Sequence, residues 1–470
     1  MRMAAVIGRR IPAPVRMGAA LRSRTGKRCR AWWAPGGSRG TARGVRHDDA
    51  VPFDSTPRPP TVPPAQAPRA LLTVSGADRP GVTARLFSAL AAGNGAPAVE
   101  VLDVEQVVVH GHLVLGVVVG SVGEGDGPPA DESALLGFLS GVAVDVSTAM
   151  GVTVDVESAS DPEPEPAPGR PHHVIVLGRP VPPDAVAGAA RAIAEIGGNI
   201  DAIRRLSDYP VTSFELTVSG TEATALRTRL ASVAASTGAD IAVEQVGLAR
   251  RSKRLIVLDV DSTLVRGEVI DELAARAGRA AEVARITAAA MNGELDFAES
   301  LRARVAVLAG LPAEVLDEVR EHLVLTPGAR TLIRTLQRLG FRCGIVSGGF
   351  TQITDSLAET LGLDFAAANT LEVIDGRLTG GLVGEIVDRP GKARALVRFA
   401  AEYGIPLEQT VAVGDGANDL DMLNTAGLGI AFNAKPFVRE QAHTALNQPY
   451  LDAVLQVLGF TRDEVLDAVP

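Results

Sequence analysis

The chain has 470 residues, enough for about three domains at the usual roughly 100–200 residues each. Apolar content is ordinary but only 4% of residues are aromatic, so alanine, valine and leucine must fill the core. The net charge of −9 hides a basic start, with twelve Lys/Arg against Asp48 and Asp49 in the first fifty residues, and the strongly acidic remainder argues against nucleic acid as a partner. Cys29 and Cys343 allow at most one bridge and have no zinc-type spacing, which fits a reducing, cytoplasmic compartment. No run of about 18 or more apolar residues occurs, so no membrane partner is expected.

Residues 1–68 read as a disordered extension, basic at first and Pro-rich from Pro52 to Pro68. The Arg-rich, acid-poor start has the composition of an organelle transit peptide, but the plainer reading is a basic tail or translation from an upstream start. A first module spans 69–157. Ala70–Ser75 reads as a strand, Ala77–Gly81 as a turn and Val82–Ala92 as a helix. Two alternating strands follow, parted at His110-Gly111, then a helix over Glu132–Met150 and a strand over Val152–Val156. A Glu/Pro-rich linker covers 158–171.

The second module, 172–247, repeats the plan. It has a strand over His172–Leu177, a helix over Asp184–Ile196, and strands near Ile200–Leu206 and Thr212–Val218 about the turn at Asp208-Tyr-Pro210. The helix Ala223–Ser236 and the strand Ile241–Val246 complete it. Both modules read βαββαβ, the ferredoxin-like arrangement. His110, His112, His172 and His173 fall in turns or at strand starts and read as solvated side chains rather than metal ligands. The stretch Leu71-Leu-Thr-Val-Ser-Gly-Ala-Asp-Arg-Pro-Gly81 resembles the opening of an ACT domain, an amino-acid-sensing module. The resemblance implies that Asp78 and Gly81 line an effector site, with L-serine as the foremost candidate. The second copy has Gly178-Arg-Pro at that turn and lacks the aspartate. Such modules commonly pair edge to edge, which makes a homodimer the default expectation.

The third region, 251–470, carries the chemistry. Leu255–Leu258 lacks polar alternation, as in a parallel strand buried on both faces. Asp259 and Asp261 follow at its C-terminal end, where open α/β sheets bind ligands. Two carboxylates there repel unless a cation or shared proton holds them, and a hard dication such as Mg²⁺ suits them. Such an ion also lets an anionic nucleophile approach a phosphate. Arg342–Gly349 is a second buried strand ending in Ser347-Gly348-Gly349, whose hydroxyl and amides could cradle phosphate oxygens. Lys392 opens a helix over Lys392–Glu402. Thr410–Asp419 is a third strand ending in acids. Asp415 is placed to ligate the metal and Asn418 and Asp419 to fix the loop. Cys343, mid-strand, reads as buried filler.

Asp-x-Asp-Ser-Thr, Ser-Gly-Gly, Lys and Gly-Asp-Gly-x-Asn-Asp in this order resemble the haloacid dehalogenase superfamily of phosphotransferases, over about 251–445. The resemblance implies a Rossmann-like core behind two ferredoxin-like ACT-type domains. It also implies Asp259 as nucleophile, Asp261 as general acid and base, Lys392 as a catalytic cation, and Mg²⁺ held by Asp259, Asp261 and Asp415. Residues 268–322 read as a small helical cap, similar to that of the superfamily's phosphoserine-specific phosphatases. That likeness implies Glu268 for the substrate ammonium, Arg304 for its carboxylate, Met291 and Phe297 as apolar walls, and Ser347, Gly348, Gly349, Lys392 and Asn418 about the phosphate. O-Phospho-L-serine needs such a set: one anion, one bidentate cation and a phosphate pocket. The plainer alternatives are a helix-face Glu268 and an Arg304 paired with Glu299 or Glu294. Three other functions stay open: a phosphatase for another small ester, a phosphotransferase, and an amino-acid sensor with a vestigial core.

Overall fold

The computed structural model describes residues 67–91, 97–123, 128–159, 170–292 and 294–467. Nearly all of the basic, Pro-rich extension and most of the linker lie outside the described residues. The chain divides into two compact units, residues 1–160 and 161–470.

In the first unit, β1 (Arg69–Ala77), β2 (Ala98–Val109), β3 (His112–Val122) and β4 (Thr153–Ser158) form an antiparallel sheet in the order β2-β3-β1-β4. His110 and Gly111, both at positive φ, make the two-residue turn between β2 and β3. Helices Val82–Ala91 and Glu132–Met150 cover one face, where Leu72, Val74, Leu115 and Val117 meet Leu86, Leu135, Leu139 and Val146. Asp131 caps the longer helix by accepting from Ala134 N–H, and Gly151 ends it in the left-handed conformation. By length and hydropathy this is the one helix among the described residues that could cross a membrane. Its buried stripe at Leu135, Leu139, Val142 and Val146 makes it a core helix of the module instead.

The second unit opens with the same βαββαβ plan, in β5 (His172–Gly178), β6 (Asn199–Ser207), β7 (Thr212–Ser219) and β8 (Asp240–Gln245), ordered β6-β7-β5-β8. Helices Pro183–Glu195 and Ala223–Thr237 cover one face through Val174, Val176, Leu216 and Val218. The other face is covered too. Ile175, Leu177, Leu206, Val211 and Ala242 share a core with Leu446, Leu451, Val454 and Val457 of the C-terminal domain. His172, expected to be solvated, is buried as well, on the helix-covered face that Val174 and Val176 share, and burial lowers its pKa.

Polar clasps flank this shared core. Asp240 accepts from Asn447 N–H at 2.7 Å and from its Nδ2 at 2.6 Å. Arg250 donates to the carbonyls of Val457 and Gln456 and pairs with the buried Glu215. The Arg179 guanidinium lies 5.1 Å from the Tyr450 ring centroid. The turn that the ACT resemblance assigns to an effector is thus occupied, in this copy, by a contact with the neighbouring domain.

The C-terminal domain is built on β9 (Leu255–Leu258), β10 (Arg342–Phe350), β11 (Phe365–Ile374), β12 (Arg377–Val383), β13 (Thr410–Gly414), β14 (Leu428–Phe432) and β15 (Thr444–Leu446). The sheet order is β12-β11-β10-β9-β13-β14-β15, with every pairing parallel except β11 with β12. Alternate residues of one strand feed different cores: Ile256 and Leu258 one, Leu255 and Val257 the other. Cys343 is buried, and burial pushes its thiol up to about 12.

Between β9 and β10 the cap folds as helices Val269–Arg276, Ala280–Met291, Phe297–Ala306 and Val315–His322. Asp296 and Glu299 form a capping box at the start of the third. Backbone bonds stitch the cap to the β11–β12 hairpin: Gly310 N–H to Leu378 O at 2.8 Å, Leu378 N–H to Leu311 O at 2.9 Å and Ala313 N–H to Gly376 O at 2.8 Å.

Candidate active site

The central strand β9 ends at Leu258 and the chain turns sharply, with Ser262 at φ 58. That turn sends Asp259 and Asp261 into one pocket between sheet and cap, where Glu268, Phe297, Arg304, Gly348, Gly349, Lys392, Asp415 and Asn418 also lie. The cavity has an empty volume of about 550 Å³, including its open mouth. Ile270, Leu301 and Phe350 complete the apolar wall, and sequence reasoning did not pick them out. Their apolar spacing is that of ordinary core. Met291 ends the second cap helix, but its side chain lies outside the described residues.

Lys392 is fully buried and binds two carboxylates, Asp259 Oδ1 at 2.8 Å and Asp419 Oδ1 at 2.6 Å. Burial pulls its ammonium down, but the two carboxylates override this and hold it above the usual lysine range. The helix that carries it runs from Arg389 to Glu402, three residues earlier than expected. Pro390 needs no donor in the first turn, and Asp388 caps it by accepting from Gly391 N–H at 2.7 Å. Lys392 therefore projects from a capped first turn.

Asp259 Oδ1 also accepts from Val260 N–H at 2.7 Å. Both of these partners sit on Oδ1, which leaves Oδ2 as the oxygen not engaged by them, on a residue that lines the cavity. Burial first, then the neighbouring Asp419, raises the Asp259 carboxyl well above the usual range against the pull of Lys392. Asp415, held by Thr263 Oγ1 at 3.1 Å, is pushed up to about 7 by burial and by Asp419 and Glu268. Asp261 is likewise pushed up to about 7, by burial and by Glu268.

Carboxylate oxygens of Asp259, Asp415 and Asp419 lie within 4.8 Å of one another. The side chain of Asp261, expected as a third metal ligand, is not in this group. The turn at Ser262 directs it toward the cap, where Oδ1 accepts from Val269 N–H at 2.8 Å. Asp419 completes the group of neighbouring carboxylates, with Oδ1 on Lys392 and Oδ2 accepting from Gly416 N–H at 2.9 Å, the loop-fixing bond expected of it. Gly414 permits the approach, since a Cβ there would stand 2.5 Å from Asp419. The donor set is all oxygen and crowded with negative charge, so it fits a hard divalent cation.

On the cap side, Glu268 receives a bond from Ser262 Oγ at 2.9 Å. Arg304 Nε is buried with no hydrogen-bond partner among the described residues, and burial lowers its pKa. The Glu299 pairing considered for Arg304 does not form, because Glu299 is committed to the capping box. Phe297 faces Gly348, where an added Cβ would stand 3.1 Å from the ring. Ser347 is fully buried and its Oγ accepts from Gly349 N–H at 2.8 Å, so it lies behind the pocket wall. Asp78 and Gly81, the expected effector residues, belong to the first unit. They sit in an exposed turn, where Asp78 N–H donates to Gly111 O at 2.8 Å.

Three stretches match known families: a haloacid dehalogenase-like hydrolase over 256–424, and an ACT domain over 69–153 and again over 170–244. A phosphoserine phosphatase of Streptomyces coelicolor is 56% identical over 401 residues, 85% of this chain and 94% of that one. A phosphoserine phosphatase of Mycobacterium tuberculosis is 56% identical over 400 residues, 84% of this chain and 94% of that one. The crystal structure of a probable phosphoserine phosphatase from Vibrio cholerae is similar at 36% identity and a TM-score of 0.50, covering 63% of this chain and 88% of that one.

Proposed function

Because the chain belongs to the phosphoserine phosphatase family of haloacid dehalogenase-like hydrolases, we propose that it hydrolyses O-phospho-L-serine to L-serine and phosphate, the last step of serine synthesis. The observation that carries this is the pocket itself. Glu268 and Arg304 of the cap face the Asp259–Lys392–Asp415 cluster of the core, a zwitterion site above a phosphate site.

Asp259 Oδ2 attacks phosphorus and the bond to the serine oxygen breaks, giving an aspartyl-phosphate. Asp261 donates its proton to the departing oxygen. With a carboxyl raised to about 7, it can carry that proton near neutrality. It then takes a proton from the water that attacks phosphorus and releases Asp259. Lys392 and the backbone about Gly348 and Gly349 stabilise the charge spread over the phosphoryl oxygens. In this reading Asp259, Asp415 and Asp419 would hold Mg²⁺, which would neutralise phosphate charge. The cap wall of Ile270, Phe297 and Leu301 limits the entry of bulk water.

The test is phosphate release from O-phospho-L-serine with Mg²⁺, with EDTA, and for Asp259→Asn. Release should need both the ion and Asp259 and should exceed that from phosphothreonine and sugar phosphates. Turnover of another ester in preference would overturn the substrate assignment.

The first ACT module is read as the seat of an amino-acid effector, L-serine foremost, at the Asp78–Gly81 turn. Titration calorimetry of the full chain and an Asp78→Ala variant, with the active site blocked by vanadate, tests it; equal serine binding by both removes the idea. A homodimer is supported by the edge strand β2, which exposes Val101, Val104, Val107 and Val109. A monomeric mass in light scattering would discard it. A cytoplasmic location is supported by the scarcity of cysteine. Fractionation that recovers the protein outside the cytoplasm would exclude it.

A further inference from the structure

The ladder between β10 and β11 breaks where the site begins. The strands pair in parallel through Val346 opposite Ala367, and next at Phe350 opposite Asn369. Four steps along β10 therefore match two along β11, and Ser347, Gly348 and Gly349 bow out of register. Gly348 and Gly349 line the pocket as a result. A bowed segment loses its ladder partners, and its buried backbone groups need others.

Ser347 Oγ serves Gly349 N–H, and Asn369 serves the Gly348 carbonyl. Its Nδ2 donates to Gly348 O at 2.8 Å, and its Oδ1 accepts from Val387 N–H at 2.8 Å. The two backbone partners fix which end of the amide is which, since one needs a donor and the other an acceptor. The residue is 2% exposed, so water cannot replace either bond. Val387 precedes Asp388, the residue that caps the helix of Lys392. One buried amide thus joins the Ser-Gly-Gly bow to the start of the lysine helix, two elements that the sheet ladder leaves unconnected at this level.

We infer that Asn369 is a positioning residue for phosphoryl transfer, holding the Gly348 peptide and the Lys392 helix so that both meet one phosphoryl group. This rests on reading Gly348–Gly349 and Lys392 as the phosphate-holding groups. The substitution Asn369→Asp keeps shape and the acceptor for Val387, but turns a carboxylate oxygen against Gly348 O. The bow should then shift while the cap residues Glu268 and Arg304 stay in place.

The experiment measures the component of inhibition competitive with O-phospho-L-serine, for inorganic phosphate and L-serine separately, in full-length wild type, Asn369→Asp and Ser347→Ala, each in an Asp78→Ala background so that serine at the first ACT turn does not contribute. In Asn369→Asp the phosphate inhibition constant should rise about tenfold, the scale for an orphaned buried polar group. The L-serine constant should stay within about twofold, because no cap contact has changed. If Ser347→Ala weakens phosphate and Asn369→Asp does not, the inference about Asn369 fails alone. If neither variant changes phosphate inhibition, the reading of the loop as the phosphate site fails with it. If phosphate and serine weaken equally in Asn369→Asp, the residue is merely structural and the inference is wrong. Should Asn369→Asp not fold, Asn369→Ser is read by the same phosphate-to-serine ratio, with the same expected and overturning results.

Discussion

Arg304 enters the pocket half-desolvated, its Nε without a partner among the described residues. A guanidinium in that state is completed by a planar anion, and a carboxylate matches its fork. Arg304→Lys keeps the charge but loses the fork. KM for O-phospho-L-serine should rise roughly tenfold or more with a smaller change in kcat, while hydrolysis of a phosphate ester without a carboxylate should barely change. Steady-state kinetics on both substrates decides it. Asp415 leads to a second expectation. Its carboxyl is raised to about 7 in the metal-free protein, so it is protonated below that pH and charged above it. A group raised in this way favours the fold at low pH, and that contribution is lost as pH rises through about 7. Added Mg²⁺ should therefore stabilise the protein increasingly as pH rises toward about 7 and level off above it, its affinity falling about tenfold per pH unit below that point for each proton displaced. Thermal unfolding with and without Mg²⁺ across that range measures this. A stabilisation independent of pH would count against the Asp259–Asp415–Asp419 site.

Glu215 sits on β7, where the second ACT module meets Arg250. Burial would raise its carboxyl, but the Arg250 guanidinium and the nearby His173 and Arg204 override this and hold it below the usual glutamate value. A lowered carboxyl contributes stability above its unfolded pKa, and the contribution is lost as pH falls through the folded value. Glu215→Gln leaves Arg250 buried without its counter-charge, at a cost of roughly 3 kcal/mol, and should flatten the acid limb of the stability profile. Chemical denaturation of wild type and variant at neutral and acid pH tests both parts. Much of this scale was legible beforehand. Alternation in Leu71–Ser75 and the turn at His110-Gly111 gave the first module nearly residue by residue, and the buried run at Leu255–Leu258 gave the central strand. The docking of the second module was not read from the sequence, although Val174-Ile-Val-Leu177 lacks the polar alternation of a one-sided strand. What could not be read was that the Asp419 carboxylate, rather than that of Asp261, lies beside those of Asp259 and Asp415, because this depends on a turn at Ser262 that no residue type announces. Asn369 was equally silent, being one polar residue in a strand whose register slips only in three dimensions.

The two ACT modules share a plan but not a situation. The first has one face covered by its own helices and belongs to its own unit, whereas the second has both faces buried within the C-terminal unit. Residues 170–470 should therefore express as a soluble, active fragment with one cooperative unfolding transition. Residues 251–470 alone would expose Leu446, Leu451, Val454 and Val457 and should aggregate or unfold at lower temperature. Calorimetry of the two fragments checks the pair of expectations. Two separate transitions for 170–470 would mean that the second module is a loosely tethered attachment after all.

The shared core has a consequence for how the protein is made. The strand residues Ile175, Leu177 and Ala242 leave the ribosome about 200 to 280 residues before Leu446 and Val454, the groups that cover them. At roughly 5–20 residues per second, that apolar face waits on the order of 10–55 s for its cover. During that interval the nascent chain carries a half-finished domain, so a stalled or prematurely terminated message should release a product that chaperones hold or proteases remove. Crowded polysomes, rather than the mature enzyme, are where this architecture is most exposed to misassembly.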